Sequence, residues 1–387
     1  MSRPSSSPAA SDALDAPAGT PWYPVSNATE IASPALLLYP DRIEENLRRM
    51  RTIVGGDATR LRPHVKTHKL APVIALKRAQ GISKFKCSTI AECEMVAAAG
   101  GEDVLLAYPL AGPNIRRFLE LQRAFPGTCF RAVTDDLPTV HELSAVARAQ
   151  QAEIALLIDL NVGMNRTGIL PGDEAFALIA EIRSLPGLRW DGLHAYDGHL
   201  AIADRTVRAR EWASALGPVW RLRDRLQEVG TPAPLIVGGG TPTLPFFAGV
   251  PGVECGAGTP VLWDFGQPLH NPDLDFLHAA VLLTRVVSKP LPGRLCLDLG
   301  HKAVASEMQP PRVRIFGLED ATFVGHSEEH LVLETPRAAE FPVGHVFYAL
   351  PRHVCPTVAL HSEVAVVRDG RVTEFWSVSA RARRITV

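Results

Sequence analysis

From Leu61 onward, short apolar runs alternate with longer stretches whose apolar residues recur three and four positions apart. The short runs fall at 61–66, 84–88, 104–108, 130–134, 154–160, 190–196, 235–238 and 253–255. Their length and β-branched content predict strands. The stretches between them, at 71–80, 90–99, 114–124, 137–151, 174–184 and 205–229, predict amphipathic helices. Strands with helices between most of them define an α/β chain, and eight such strands are most economically a parallel (β/α)8 TIM-like barrel. The rival doubly wound sheet lacks a GxGxxG turn after its first strand.

After Pro268 the pattern changes. Short runs rich in Val, Leu and aromatic residues predict strands at 279–287, 294–298, 312–316, 329–333, 346–349, 364–368 and 372–377. Asp369-Gly370 between the last two is a two-residue hairpin signal. These runs predict a C-terminal antiparallel β domain, with an early run at 34–39 as a further pairing partner. The expected organisation is a disordered Ser-, Ala- and Pro-rich tail at 1–25, a barrel at 30–268 and a β domain at 269–387.

Charge and cysteine usage narrow the class. The 387-residue chain has a formal net charge of −1 and no basic block, so neither nucleic acid nor an anionic membrane is an expected partner. No apolar run reaches the ~18 residues of a membrane span. The first residues lack the apolar core of a secretory signal and carry Asp12 and Asp15, unlike a transit peptide. Cys87, Cys93, Cys129, Cys255, Cys296 and Cys355 form no CxxC pair, which predicts reduced thiols in a cytoplasmic protein.

The candidate chemistry clusters at the ends of the predicted strands. Lys66 ends the first of them, within Pro63-His64-Val65-Lys66-Thr67-His68-Lys69. A desolvated lysine there can lose its proton and form a Schiff base with an aldehyde cofactor. Gly238-Gly239-Gly240-Thr241 and Gly256-Ala257-Gly258-Thr259 follow the seventh and eighth strands, where barrels bind phosphate. Arg166 follows the fifth strand and can bind a phenolate or carboxylate, or simply pair with Asp159. Tyr196 and His199 end the sixth; the tyrosine can bond a ring nitrogen, and the histidine can act as a base or line a substrate site. His353 and Cys355 are two apart, which on a strand places both on one face as an imidazole–thiolate pair suited to Zn²⁺. His345 and His361 are further candidate ligands. Cys355 also has a thiol-nucleophile reading, for which no oxyanion arrangement can be assigned.

Taken together, the Lys66 motif, Gly163-Met164-Asn165-Arg166-Thr167-Gly168, the glycine loops, Asp298-Leu299-Gly300-His301-Lys302-Ala303 and His353-Val354-Cys355-Pro356-Thr357 resemble the D-threonine aldolase and D-serine dehydratase branch of the alanine-racemase-like (fold type III) pyridoxal-phosphate enzymes. The resemblance implies a homodimer in which Lys66 carries pyridoxal 5′-phosphate. It implies Tyr196 near the pyridine nitrogen, Arg166 near the ring oxygen, and Gly239, Gly240, Thr241, Gly258 and Thr259 around the phosphate. It implies His353 and Cys355 as ligands of a divalent metal, Zn preferred and Mn or Mg allowed. Pro260 stands where the family places a tyrosine, and Cys355 is dehydratase-like although Pro356-Thr357 is aldolase-like. The activity implied is a lyase acting on a small-molecule D-3-hydroxy amino acid. D-threonine aldolase, giving glycine and an aldehyde, ranks first and D-serine dehydratase second. An amino-acid racemase and a non-catalytic pyridoxal-phosphate-binding protein are more distant alternatives.

Overall fold

A computed structural model describes residues 21–387. The expected tail falls mainly outside that range. Residues 22–25 are packed rather than disordered: Val25 is buried, Trp22 meets Tyr39 edge-on and Tyr23 stacks on Phe316. Their Trp-Tyr-Pro-Val sequence carries enough apolar area to dock, which the Ser/Ala/Pro composition upstream obscures.

The described chain begins its regular structure with β1 (Ala35–Leu38) and α1 (Pro40–Ile53). Two compact units follow from the contacts. One comprises residues 21–46 together with Val261–Val378; the other comprises Leu47–Pro260 and Ser379–Val387. The division thus differs from the expected one at both ends. The early strand belongs with the β unit, and the last residues belong with the barrel, where Thr386 N–H donates to Glu94 Oε1 (3.0 Å) and Arg117 Nη2 to Val387 O (2.7 Å).

In the barrel unit, β2 (Lys84–Cys87), β3 (Asp103–Leu106), β4 (Cys129–Thr134), β5 (Ile154–Leu160), β6 (Leu188–Ala195), β7 (Ile236–Gly238) and β8 (Val253–Cys255) pair in sequence order, all parallel. The eighth place is filled by the first predicted strand, reduced to two bridges: Leu61 to Cys255 on one side and His64 to Lys86 on the other. Pro63 has no N–H to give the ladder, and the chain turns into a 3₁₀ segment at Val65–Thr67. Lys66 therefore lies on a turn beyond the strand end, not on the strand.

The predicted helices are present, with Asp136 and Asp204 capping the N-termini of two of them, Leu137–Ala149 and Arg205–Glu228. The turn Leu244–Ala248 was not expected, being a single short helix with a proline in its first turn.

Strand alternation sorts the barrel interior into three layers. The floor is charged. Arg62, fully buried, donates to Glu254 and Asp103 at 2.6 Å each, and Arg131 reaches Asp103 and Asp191 at 2.6 and 2.7 Å. Above it Leu105, Val133, Leu157 and Val237 form an apolar layer. Two residues beyond Leu157 comes Asp159, level with His194 on β6; these two and Lys86 of β2 are all buried. Removing one member of a buried ion network leaves its partners uncompensated. Arg62→Ala is therefore expected to destabilise the protein by about 3–5 kcal/mol in urea unfolding; a change under about 1 kcal/mol would show that the floor is solvated.

In the β unit, β9 (Ala280–Ser288) pairs antiparallel with β1, with β10 (Arg294–Leu297) and with β14 (Val346–Pro351). The flanking strands are β11 (Val313–Ile315), β12 (Thr322–His326), β13 (Leu331–Glu334), β15 (Glu363–Arg368) and β16 (Arg371–Ser377). The domain is antiparallel except for β1 against β15, which run parallel. Asp369 (φ 49°) and Gly370 (φ 69°) make the expected hairpin between β15 and β16. β12 was not anticipated, since its Thr-Phe-Val-Gly-His sequence is mostly exposed and contains a glycine. The core of this unit gathers Leu37, Tyr39, Val281, Leu283, Leu350 and Val367.

Candidate active site

The Lys66 turn is held from both flanks. The Lys66 N–H donates to His64 Nδ1 (3.2 Å), and the Leu70 N–H donates to His68 Nδ1 (3.1 Å). Both imidazoles are buried, which holds each well below the usual value, so both are neutral at pH 7. With Nδ1 accepting, the remaining proton of His68 lies on Nε2, which donates to Lys77 Nζ at 2.9 Å. Lys77 can accept because burial lowers its pKa to about 7. Lys69 adopts a left-handed conformation (φ 54°) and pairs with the buried Glu92 of helix Ile90–Ala98. Glu92 also accepts from the Ser88 N–H (2.6 Å), locking the turn to the end of β2.

The mouth of the barrel faces this turn. Tyr196 lies beneath two cations: Arg166 is 5.1 Å from its ring centre and Lys86 Nζ is 5.5 Å away. Arg166 is exposed and reaches the ring rather than Asp159. Asp159 instead accepts from Thr167 Oγ1 (2.8 Å) and bonds His194 Nδ1 (2.7 Å). His199 is exposed and sits against Gly163, where a Cβ would approach its Nε2 to 2.8 Å.

The glycine loops contribute space more than free donors. Gly239 N–H donates to Ala195 O (3.0 Å) and Gly240 N–H to Asp197 Oδ1 (2.9 Å). A Cβ on Gly239 would strike the Phe247 ring at 2.6 Å, and one on Gly258 would strike His64 O at 2.5 Å. Thr241 is buried, and Thr259 and Pro260 lie in a 3₁₀ turn, Thr259–Val261. The site is thus walled by closely packed backbone that only glycine allows. It also has unspent polar atoms: His194 Nε2 and Asp197 Oδ2 are buried with no hydrogen-bond partner among the described residues. Burial pushes Asp197 up to about 6 despite its bonds to Thr243 and Gly240. A lysine amine on a turn beside buried, unpartnered polar atoms fits pyridoxal phosphate.

Lys86, Asp159, His194 and Asp197 were not among the expected site residues. The signal for Lys86 was present: in Lys84-Phe85-Lys86-Cys87, strand alternation puts both lysines on one face and the apolar pair on the other.

In the β unit, His353 and Cys355 are not on a strand. His353 is the N-cap of α10 (Val354–Leu360), the tenth α-helix among the described residues, and Cys355 lies in its first turn. Pro356 suits a helix start and ends the strand that spacing alone suggested. The two side chains still face each other closely enough to hydrogen-bond. Against burial, Cys355, Asp264 and Glu307 raise His353 to about 9. Glu307 contacts His353 Nδ1 at 2.5 Å, and buried Asp264 accepts the Val354 N–H at 2.8 Å. An imidazole oriented by a carboxylate beside a half-buried thiol suits a divalent cation with open positions. Among the described residues, no group of three or more His, Cys, Asp or Glu side chains is arranged to hold a metal ion. His361 Nε2 bonds Ala303 O and His345 packs between Phe341 and Phe347, so neither joins the pair as a ligand.

Comparison with known proteins agrees with this geometry. Residues 39–256 match the alanine racemase N-terminal domain, and residues 279–367 match a putative serine dehydratase domain. A D-threonine aldolase from Arthrobacter sp is 33% identical over 372 residues, covering 93% of this chain and 96% of its own. The crystal structure of D-threonine aldolase from Filomicrobium marinum superposes with a TM-score of 0.84 at 28% identity, covering 92% of this chain and 98% of that one. A D-threo-3-hydroxyaspartate dehydratase from Delftia sp. is 28% identical over 88% of this chain and 95% of its own. Barrel, lysine turn and glycine loops define a fold type III pyridoxal-phosphate enzyme. Within that class the chain belongs to the D-threonine aldolase and D-serine dehydratase branch, a family of lyases.

Proposed function

We propose that the protein is a D-threonine aldolase-like enzyme, cleaving a D-3-hydroxy amino acid to glycine and an aldehyde. It does so with pyridoxal phosphate on Lys66 and a divalent cation, zinc first, at His353 and Cys355. The observation that carries this reading is the likeness to a D-threonine aldolase along 93% of the chain. Bound pyridoxal phosphate supplies an electron sink for charge developing at the substrate Cα, and a bound cation supplies a Lewis acid for the 3-hydroxyl.

The chain's own residues prepare that chemistry. Lys66 offers an amine on a turn pinned by His64, His68 and Glu92, so its position is set before the cofactor arrives. Tyr196 provides a flat face and Arg166 a cation beside it for a ring oxygen. Gly258 lets its loop close on His64, Gly239 keeps the loop clear of Phe247, Gly240 lies against Tyr196, and Thr241 and Thr259 add hydroxyls. His199, held below the usual imidazole value by partial burial, is neutral at pH 7 and can accept the 3-hydroxyl proton. The six cysteines are thiols rather than disulfides, which supports a reducing compartment such as the cytoplasm, and the family resemblance supports a homodimer. No helix among the described residues is long and apolar enough to cross a membrane.

Cys355 favours a second reading, a D-serine or 3-hydroxyaspartate dehydratase, because cysteine is the dehydratase-like choice at that position and a dehydratase is among the relatives. Product analysis separates the two. Purified protein with pyridoxal phosphate and Zn²⁺ or Mn²⁺ is expected to convert D-threonine to glycine and acetaldehyde. Pyruvate and ammonia from D-serine, or 2-oxobutanoate from D-threonine, would transfer the assignment to the dehydratase. Accumulation of the L-enantiomer alone would make the protein a racemase.

A further inference from the structure

Lys86 is a feature of the barrel mouth that the reading above leaves unused. It is 1% exposed, on β2, with its Nζ in the top layer of the barrel interior. Among the described residues no hydrogen bond or ion pair engages that Nζ; its contact is the face of Tyr196, 5.5 Å away. Gly256 makes room for it, since a Cβ there would collide with the Nζ. Its surroundings are built of charged and polar groups at the site already described: Lys66 and His64 on the lysine turn, Asp159 on β5, His194 on β6, Asp197 beyond it, and Arg62 below. A buried amine without an acceptor is costly. The same mouth holds two buried atoms without partners among the described residues, His194 Nε2 and Asp197 Oδ2.

We propose that Lys86 is a second ligand-binding lysine of this site, whose Nζ donates to an anionic oxygen of the bound cofactor. The inference rests on the reading that the barrel binds pyridoxal phosphate. Two oxygens have the right chemistry, the phosphate and the ring oxygen. Gly239 and Gly240 have already committed their N–H groups to Ala195 and Asp197, so these two positions of the phosphate region offer no free backbone donor. A cation beside the loop after β8 makes good that shortage. Lys86 is also suited to change state on binding. Burial lowers its pKa to about 7, so near neutral pH the cofactor-free protein holds it partly uncharged, and an incoming oxyanion draws the proton on.

The test uses Lys86→Met, which keeps the volume and removes the amine, and Lys86→Gln as a second variant. Pyridoxal 5′-phosphate affinity, read from cofactor absorbance and intrinsic fluorescence, is expected to fall about 10- to 100-fold, the loss of one charge-assisted hydrogen bond. The cofactor-free Lys86→Met protein is expected to melt higher than wild type, because an unpaired buried amine has gone. Borohydride reduction and peptide mapping should still place the cofactor on Lys66. Pyridoxal, lacking the phosphate, identifies the oxygen. Unchanged pyridoxal affinity in the variant assigns Lys86 to the phosphate, and an equal fold-loss assigns it to the ring oxygen. Wild-type affinity for both compounds in both variants overturns the proposal. Wild-type protein that shows no cofactor absorbance at all overturns the cofactor reading and this inference with it.

Discussion

Lys66→Ala protein is expected to show no cofactor absorbance band and a fall in turnover of about 10⁴-fold or more, the scale on which covalent catalysis is lost with its nucleophile. The effect should be local. The turn bearing Lys66 is fixed by groups other than its side chain: the backbone bond to His64, the His68–Lys77 contact and the Lys69–Glu92 pair. The melting temperature of the cofactor-free variant should therefore stay within a few degrees of wild type. Retained turnover with an intact fold would remove Lys66 from the mechanism, and with it the proposed cofactor linkage. The fate of Lys86 in this variant adds information. With the neighbouring lysine gone, Lys86 loses one of the charges that depress it, but it remains fully buried and should not substitute as the attachment point.

Cys355→Ala should separate the cation from the cofactor. The variant is expected to lose bound metal and about 10³-fold in turnover, in keeping with the several kcal/mol a Lewis acid contributes to such steps. Cofactor absorbance should remain, because Cys355 lies on α10 of the β unit while Lys66 lies on the barrel unit. Metal content measured after gel filtration and absorbance measured on the same sample decide the matter. Full activity after exhaustive chelation, or in the Cys355→Ala protein, would end the proposed role of the His353–Cys355 pair. Glu307 and Asp264 offer a graded control. Removing the carboxylate that touches His353 Nδ1 should weaken metal retention by about 10- to 100-fold, the range seen when an orienting partner is lost.

Much of this architecture is legible in one dimension. The helix-period stretches from Ala71 to Glu228 became helices with ends within about two residues of expectation, because capping residues such as Asp136 and Asp204 are local signals. The barrel strands were equally plain, since a strand buried on both faces reads as an unbroken apolar run. The hairpin at Asp369-Gly370 followed from residues that tolerate positive φ. Strand pairing was less accessible. That β1 lies between β9 and β15, parallel to one and antiparallel to the other, depends on contacts more than 240 residues apart. The residues following His353 were misassigned because a spacing of two is compatible with one face of a strand, whereas the structure places them at a helix start.

By itself, then, the sequence determined which elements form and that they alternate into a barrel followed by a β domain, and it pointed to the motif residues proposed to carry the chemistry. These are properties of local periodicity, caps and short motifs. The tertiary structure alone decided which side chains meet. It joined Arg62 to Glu254 across the barrel floor, set His194 on Asp159, and left Lys86 buried beside Lys66 without an acceptor. The physical reason is that burial and partnership, which set the charge state of a lysine or histidine, are made by closing the barrel, and no local pattern encodes which strand will lie opposite.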